Sequence, residues 1–212
     1  VKEMMTKYPQ GGERTLIYAV TGREINSSML PADVGCVVDN VETMVAISNA
    51  VLLGRPVMSR IITITGDGIS HPAHYEVLTG TNVEQLVQAA GGLKDNVKKV
   101  ISGGPMMGFA MFDLHVPCTK TSSALLCMAE DPASESEATA CINCGRCVKV
   151  CPGHVMPSRL ATLAEHGDLE GFQKMDGMEC CECGCCSYIC PAKRPLTQSI
   201  KSMRKIVLAN RR

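Results

Sequence analysis

The chain has 212 residues, with 21 basic and 21 acidic side chains, so its formal net charge is zero. This balance gives no indication of a nucleic-acid partner, and the apolar stretch at residues 45–53 is far shorter than the roughly 20 residues that span a bilayer. Thirteen cysteines without an opening signal peptide indicate a reducing cytoplasm rather than a disulfide framework. Because Val1 is not a methionine, we expect a fragment of a longer protein.

The first quarter of the sequence predicts one clear helix. Residues 8–15 are rich in turn formers and predict a loop, and residues 16–20 predict a short buried element. Asp39 or Asn40 is a suitable cap for a helix that Gly54 and Pro56 end. The apolar residues of this helix have helical spacing, which favours a packing helix: Val41, Met44, Val45, Ile47 and Val51.

The middle of the chain predicts a small α+β unit. Residues 60–65 are rich in β-branched side chains and predict a strand, with residues 71–78 as its antiparallel partner across a glycine turn. Thr81 or Asn82 caps a helix that Gly91 and Gly92 end, and residues 97–101 predict a third strand. The separate cysteines in and before this region are predicted core residues: Cys36, Cys118 and Cys127.

The last third begins with a polar, acidic segment at residues 131–138, which favours a linker. Pro157 is typical of a helix start, Gly167 ends that helix, and Asp168 caps a second short one. Residues 196–209 predict a third helix, with basic residues continuing to the end of the chain. The inward-facing residues predicted for it are Ile200, Met203, Ile206 and Val207.

Two cysteine runs in this last third share the pattern C-x2-C-x2-C-x3-C-P. In two-cluster ferredoxins, which have this spacing, three cysteines hold one 4Fe-4S cluster and the fourth binds the other cluster. The pattern therefore predicts one cluster on Cys141, Cys144, Cys147 and Cys190, and a second on Cys180, Cys183, Cys186 and Cys151. Cys181 and Cys185 break the spacing and are predicted bystanders, although a register that uses one of them stays open.

Iron-sulfur ligation predicts one-electron transfer, and Gly145 and Gly184 would let backbone amides approach the cluster sulfur atoms. The alternative is zinc, which also binds four cysteines. Zinc sites usually pair two C-x2-C units across a longer loop, whereas this chain carries two triplets that each lead into Cys-Pro.

Taken together, the motifs resemble the C-terminal part of the C subunit of the Rnf electron-transport complex, a membrane-bound, ion-translocating ferredoxin:NAD oxidoreductase. Residues 8–15 and 39–43 resemble the end of its complex-I-like flavin domain, residues 66–92 its β-grasp, and the cysteine runs its ferredoxin part. The resemblance implies an α+β chain with three parts. These are 1–57, the end of the FMN- and NADH-binding domain; 58–130, a soluble-ligand-binding β-grasp domain; and 131–212, a helical two-cluster ferredoxin-like domain.

The resemblance also implies an electron relay between flavin or NADH and the other subunits of the membrane complex, with ferredoxin an indirect partner. FMN and NADH would bind only in the full-length protein, where Gly11, Glu13, Asn40 and Thr43 would touch the flavin. This chain would then be a peripheral part of an oxidoreductase and translocase on the cytoplasmic side of the membrane, without catalysis of its own.

Two other functions compete with this one. A cobalamin-reducing flavoprotein of bacterial microcompartments shares the flavin, β-grasp and ferredoxin parts and would pass electrons to a corrinoid. Alternatively, the clusters or zinc could only stabilise the fold, without redox work.

Overall fold

The computed structural model describes residues 1–210, and Arg211 and Arg212, the end of the predicted basic tail, lie outside the described residues. The α-helices are α1 (Glu13–Thr21), α2 (Val41–Leu53), α3 (Val83–Ala89), α4 (Arg146–Lys149), α5 (Pro157–Glu165), α6 (Leu169–Lys174), α7 (Cys185–Ile189) and α8 (Leu196–Ala209). The strands are β1 (Ser59–Thr65), β2 (Ala73–Leu78), β3 (Lys99–Ser102), β4 (Phe109–Ala110) and β5 (Ala124–Met128). The fold is therefore of the mixed helix-and-strand class that the sequence predicts.

The chain forms two compact units. The first combines Val1–Asp39 with the residues from Glu137 onward and is helical. The second is Asn40–Ser136 and contains all five described strands. Asp131, at the start of the predicted linker, is buried in the second unit, where its carboxylate pairs with Lys99.

The second unit is built on one mixed sheet in the order β2-β1-β5-β3-β4. The predicted antiparallel hairpin of β1 and β2 is confirmed, with Ile62 opposite Tyr75. The sequence did not predict β5, which lies at the centre, parallel to β1 and antiparallel to β3. Alternate residues of β1, Ile62 and Ile64, point into the core, as the two-residue period of a strand requires.

Helix α3 covers the core of this sheet. Its side chains Val83, Leu86 and Val87 are buried, and they follow the spacing of one helix face. Asn82 caps the helix as predicted, since its side-chain oxygen accepts a hydrogen bond from the Glu84 amide. At Gly66, after β1, φ is +116° and a Cβ atom would lie 1.9 Å from the carbonyl oxygen of Cys127, so only glycine fits this approach to β5.

Helix α2 begins and ends where the sequence predicts. Asn40 accepts a hydrogen bond from the Glu42 amide, and Gly54 closes the helix in the left-handed conformation. The predicted packing face is wrong, however, because no residue of α2 is buried and Val41 is 79% exposed. Contact with the sheet is polar, through Glu42, which pairs with Arg60 and accepts a hydrogen bond from the amide of Ile61.

In the first unit, α5 packs against α8, and α4 against α7. Helix α8 has the predicted bounds, and Ile200, Met203 and Val207 are buried. Ile206 is 49% exposed rather than inward-facing. Ile206 lies between Met203 and Val207 in sequence, but its side chain is on the neighbouring face of the helix.

The N-terminal segment of this unit also differs from the prediction. A helix, α1, begins at Glu13, inside the predicted loop, and Ile17 is its only buried residue. Helix α6 is capped by Asp168, as predicted. Its Phe172 is fully buried in the core between the helices.

Candidate metal centres

The two cysteine runs fold alike. In each, the glycine before the third cysteine lies in the left-handed region, with φ of 72° at Gly145 and 82° at Gly184, and a short helix follows. The residue two positions before that glycine is also left-handed, at Asn143 and Glu182. The duplication extends further, because α5 and α8 begin at equivalent positions after the runs. The repeat is therefore a loop, a short helix and a long helix.

A first cavity, of about 100 Å³, lies at the first run. Four cysteines line it: Cys141, Cys144, Cys147 and Cys190. Three come from one run and the fourth from the end of the other. Cys141 and Cys144 are exposed, whereas Cys147 is buried.

A second cavity has the reciprocal lining. The run cysteines around it are Cys151, Cys180, Cys183 and Cys186. Cys181 and Cys185, the predicted bystanders, also line it. Its volume is about 10 Å³, no more than the room for one water molecule, so these thiols must separate to admit a cluster.

The chemistry of these donors fits an iron-sulfur cluster, which is held by cysteine thiolates. All 13 cysteines are free thiols. In residues 1–210, no three His, Cys, Asp or Glu side chains are grouped closely enough to hold a single metal ion.

Burial affects the protonation of these thiols. It raises the pKa of Cys180 to about 11, and it also raises the pKa of Cys186, although a hydrogen bond with Thr197 acts in the opposite direction. Both groups are therefore protonated at neutral pH in the metal-free chain. Metal ligation requires the thiolate, so binding must release protons.

Hydroxyl groups at the start of α5 and α8 were not among the predicted site residues. Thr197 Oγ1 lies 3.3 Å from Cys186 Sγ and accepts a hydrogen bond from Ser187 Oγ, which leaves its own proton free for the sulfur. Ser158 holds the equivalent position in the first copy and lines the first cavity. Extending the repeat past the Cys-Pro pairs would have revealed this pair.

The N-terminal segment covers the second run. Tyr8 donates a hydrogen bond of 2.6 Å from its hydroxyl to the carbonyl oxygen of Cys183. Glu179, just before the run, pairs with Arg14 at 2.7 Å and accepts hydrogen bonds from the amide and hydroxyl of Ser27. Desolvation raises the pKa of Glu179, but the contacts with Ser27 and Arg14 outweigh it, so the pKa lies below its usual value.

The residues implied to touch flavin fall in two groups. Gly11 and Glu13 lie together at the start of α1 in the first unit and are exposed. Asn40 and Thr43 lie together at the start of α2 in the second unit, and the side chain of Asn40 is engaged as the helix cap. In residues 1–210, no helix has both the length and the apolar character needed to cross a membrane.

Three family models match the chain in succession. Residues 1–49 match the Nuo51 FMN-binding domain, residues 61–110 the SLBB domain, and residues 134–191 the 4Fe-4S dicluster domain. The dicluster match includes both cysteine runs.

Curated relatives match almost the whole chain. It is 42% identical over all 212 residues to the C subunit of the Na(+)-translocating ferredoxin:NAD(+) oxidoreductase complex of Acetobacterium woodii, and covers 48% of that protein. It is 45% identical over 201 residues, 94% of the chain, to the proton-translocating counterpart of Clostridium ljungdahlii, of which it covers 44%. The C subunit of an ion-translocating oxidoreductase complex of Rhodobacter capsulatus is 40% identical over 196 residues, which are 92% of the chain and 38% of that protein. The chain thus spans about half or less of the relatives it matches.

Proposed function

We infer that this chain, which is homologous along its length to the C subunits of the ion-translocating Rnf oxidoreductase complexes, is an electron-transfer module with two 4Fe-4S clusters. One observation carries the proposal: two reciprocal cavities, each lined by the three regularly spaced cysteines of one run and the last cysteine of the other, with Cys181 and Cys185 also lining the second. A cluster bound there supplies one-electron transfer without a large movement of its ligands.

The proposed ligands are Cys141, Cys144, Cys147 and Cys190 for the first cluster and Cys180, Cys183, Cys186 and Cys151 for the second. The repeat, rather than the cavity lining, supports this set over a register with Cys181 or Cys185, because only this set uses equivalent positions in both copies. In the second copy, Thr197 and the amide of Glu182 are placed to donate to the sulfur atoms of Cys186 and Cys180. Such hydrogen bonds tune a cluster's reduction potential.

The place of this module in a larger protein is also a proposal. We assign 1–57 to the end of an FMN- and NADH-binding domain, 58–130 to a β-grasp domain and 131–212 to the ferredoxin-like domain. The three family matches fall within these ranges. In a protein with the complete flavin domain, Gly11, Glu13, Asn40 and Thr43 would contribute to the FMN site, and NADH or NAD would be the two-electron partner.

The proposed partners are other subunits of a membrane redox complex, with ferredoxin reached through them. The names of the relatives support this, since each is a subunit of an ion-translocating oxidoreductase complex. We propose a peripheral position on the cytoplasmic side of the membrane. These names do not favour the corrinoid-reducing alternative.

Anaerobic reconstitution of the chain tests the cluster proposal. We expect about eight iron and eight sulfide per chain, and electron paramagnetic resonance signals after reduction with dithionite. Zinc at stoichiometric amounts, with no reducible signal, would leave only the structural alternative. Clusters that assemble but cannot be reduced would contradict the electron-transfer role while keeping the ligand assignment.

A further inference from the structure

The two copies of the repeat differ sharply in exposure. Of residues 141–150, which we call the first loop, all except Cys147 are exposed. Of the equivalent residues 180–189, only Cys181 and Tyr188 are exposed. The second copy is covered by the N-terminal segment, through Tyr8 and through Arg14, which pairs with Glu179, so the same local fold is closed in one copy and open in the other.

The charges of the two copies differ as well. No acidic residue occurs between Glu137 and Glu165, whereas the first loop carries Arg146 and Lys149. Both are exposed, and within residues 1–210 neither takes part in a salt bridge. In the second copy, Glu179 and Glu182 are already paired with arginines of the chain itself.

Apolar side chains accompany these cations. Ile142 is 65% exposed, and Val148 and Val150 of the same loop are 39% and 37% exposed. They lie in sequence beside Cys141, Cys144 and Cys147, three of the thiols that line the first cavity. Exposed apolar side chains and cations in one loop, beside a proposed redox centre, match the small interfaces of transient electron-transfer complexes.

We propose that the first loop is the docking surface for an acidic redox protein, and that electrons leave or enter the module there. This inference rests on the proposed electron-transfer function. One electron passes between the partner's reduced metal centre and the first cluster: the partner is oxidised by one electron, the cluster is reduced by one, and no covalent bond changes. The second cluster, covered by the N-terminal segment, is the internal member of the relay.

An anionic membrane surface would also attract a basic, apolar loop. The position of the thiols favours a redox protein. Cys141 and Cys144 are exposed within the loop, so a partner seated on it brings its own centre close to the first cluster. A lipid surface in the same place would separate that cluster from any electron partner.

The test reverses the two charges in the reconstituted full chain, with Arg146→Glu and Lys149→Glu together. The probe is an acidic two-cluster bacterial ferredoxin, used as a soluble stand-in for an iron-sulfur partner subunit. Its binding is measured by calorimetry and its electron exchange by stopped-flow absorbance. We expect the double variant to raise Kd about 10-fold and to slow exchange about 10-fold at low salt. High salt should weaken the wild type much more than the variant.

The matched control is the pair Lys120→Glu and Lys205→Glu, which changes net charge equally at exposed positions outside the first loop. Equal losses in the control and test variants would overturn the proposal, as would no binding by a wild-type chain whose clusters dithionite reduces. Binding to phosphatidylglycerol vesicles that depends on Arg146 and Lys149, without ferredoxin binding, would also overturn it. A chain without reducible clusters would instead refute the underlying electron-transfer function.

Discussion

At the scale of single residues, the fourth cysteine of each run has the most consequential position. Cys190 lines the cavity of the first run, and Cys151 lines the cavity of the second. Each therefore belongs in space to the opposite copy. The spacing of the runs predicts this exchange, and the cavities provide its geometric counterpart.

The variant Cys190→Ser tests this exchange. We expect iron to fall from about eight to about four per chain, because the first cluster loses a thiolate ligand while the second keeps all four. Alkylation followed by mass spectrometry should then label Cys141, Cys144 and Cys147. In Cys151→Ser, the labelled thiols should instead be Cys180, Cys183 and Cys186.

Cys36→Ser is the control, since Cys36 lies outside both runs and is only partly buried. It should retain all the iron. The exchange is wrong if Cys190→Ser releases the thiols of its own run.

The cysteines proposed to hold the clusters could be predicted from the sequence, because they stand at fixed spacing and cluster ligation allows few alternatives to cysteine. Extending the repeat would locate the hydroxyls of Ser158 and Thr197, but their role beside the sulfur atoms could not be predicted, because hydroxyl residues at helix starts are common and usually serve as caps. Their role depends on which way the helix places them relative to the sulfur atoms. Only the structure contains that information.

At the scale of elements, local signals determined most of the helix boundaries. Asn82 begins α3 through a hydrogen bond of 2.8 Å from the Glu84 amide. The variant Asn82→Ala should destabilise this unit by about 1 kcal/mol, because a helix donor loses its partner. Calorimetry should show a fall of about 4 °C in its unfolding temperature.

Asn96→Ala provides the comparison, because Asn96 is exposed and lies in a turn. Its unfolding temperature should stay within about 1 °C of the wild type. A shift as large as that of Asn82→Ala would show that the cap has no special role.

Strand β5 shows where local signals fail. It consists of Ala124, two leucines, Cys127 and Met128, none of which is β-branched. It becomes a strand because β1 and β3 pair with it on both sides and bury Leu125 and Cys127. Those partners are distant in sequence, so no short window could reveal it.

At the scale of the whole molecule, the N-terminal segment returns to the cysteine-rich end of the chain. Glu179 connects them through a partly buried contact with Arg14 and exposed hydrogen bonds with Ser27. The variant Glu179→Gln should lower stability by about 1–2 kcal/mol, since hydrogen bonds to a charged acceptor are lost. The loss would appear as an unfolding temperature a few degrees below that of the wild type.

The pH dependence of the stability that Glu179 contributes follows from the lowered pKa of its carboxyl group. Stability from a carboxylate whose pKa falls on folding is complete above its unfolded pKa and is lost only as the pH falls through the folded value. The difference between wild type and Glu179→Gln should therefore be constant from about pH 5.5 to pH 8. A difference that changes within this range would contradict the contact.

Glu170→Gln is the matched control, because Glu170 forms an exposed pair with Lys174 one helical turn away. Such a pair contributes about 0.5 kcal/mol or less. Neither the contact of Glu179 nor that of Tyr8 could be predicted from the sequence, because both join residues more than 150 positions apart. Side-chain chemistry alone does not select one such partner among many.

The reciprocal lining of the two cavities has a consequence for biosynthesis. The chain emerges from the ribosome from its N-terminus, and the first cavity has only three of its four thiols until Cys190 has been made. The second cavity receives its last thiol at Cys186, so both sites are completed within four residues of each other. On the proposed ligand assignment, the first site can therefore be loaded only after the second run has been translated, and a message truncated between the runs yields a chain with no complete site.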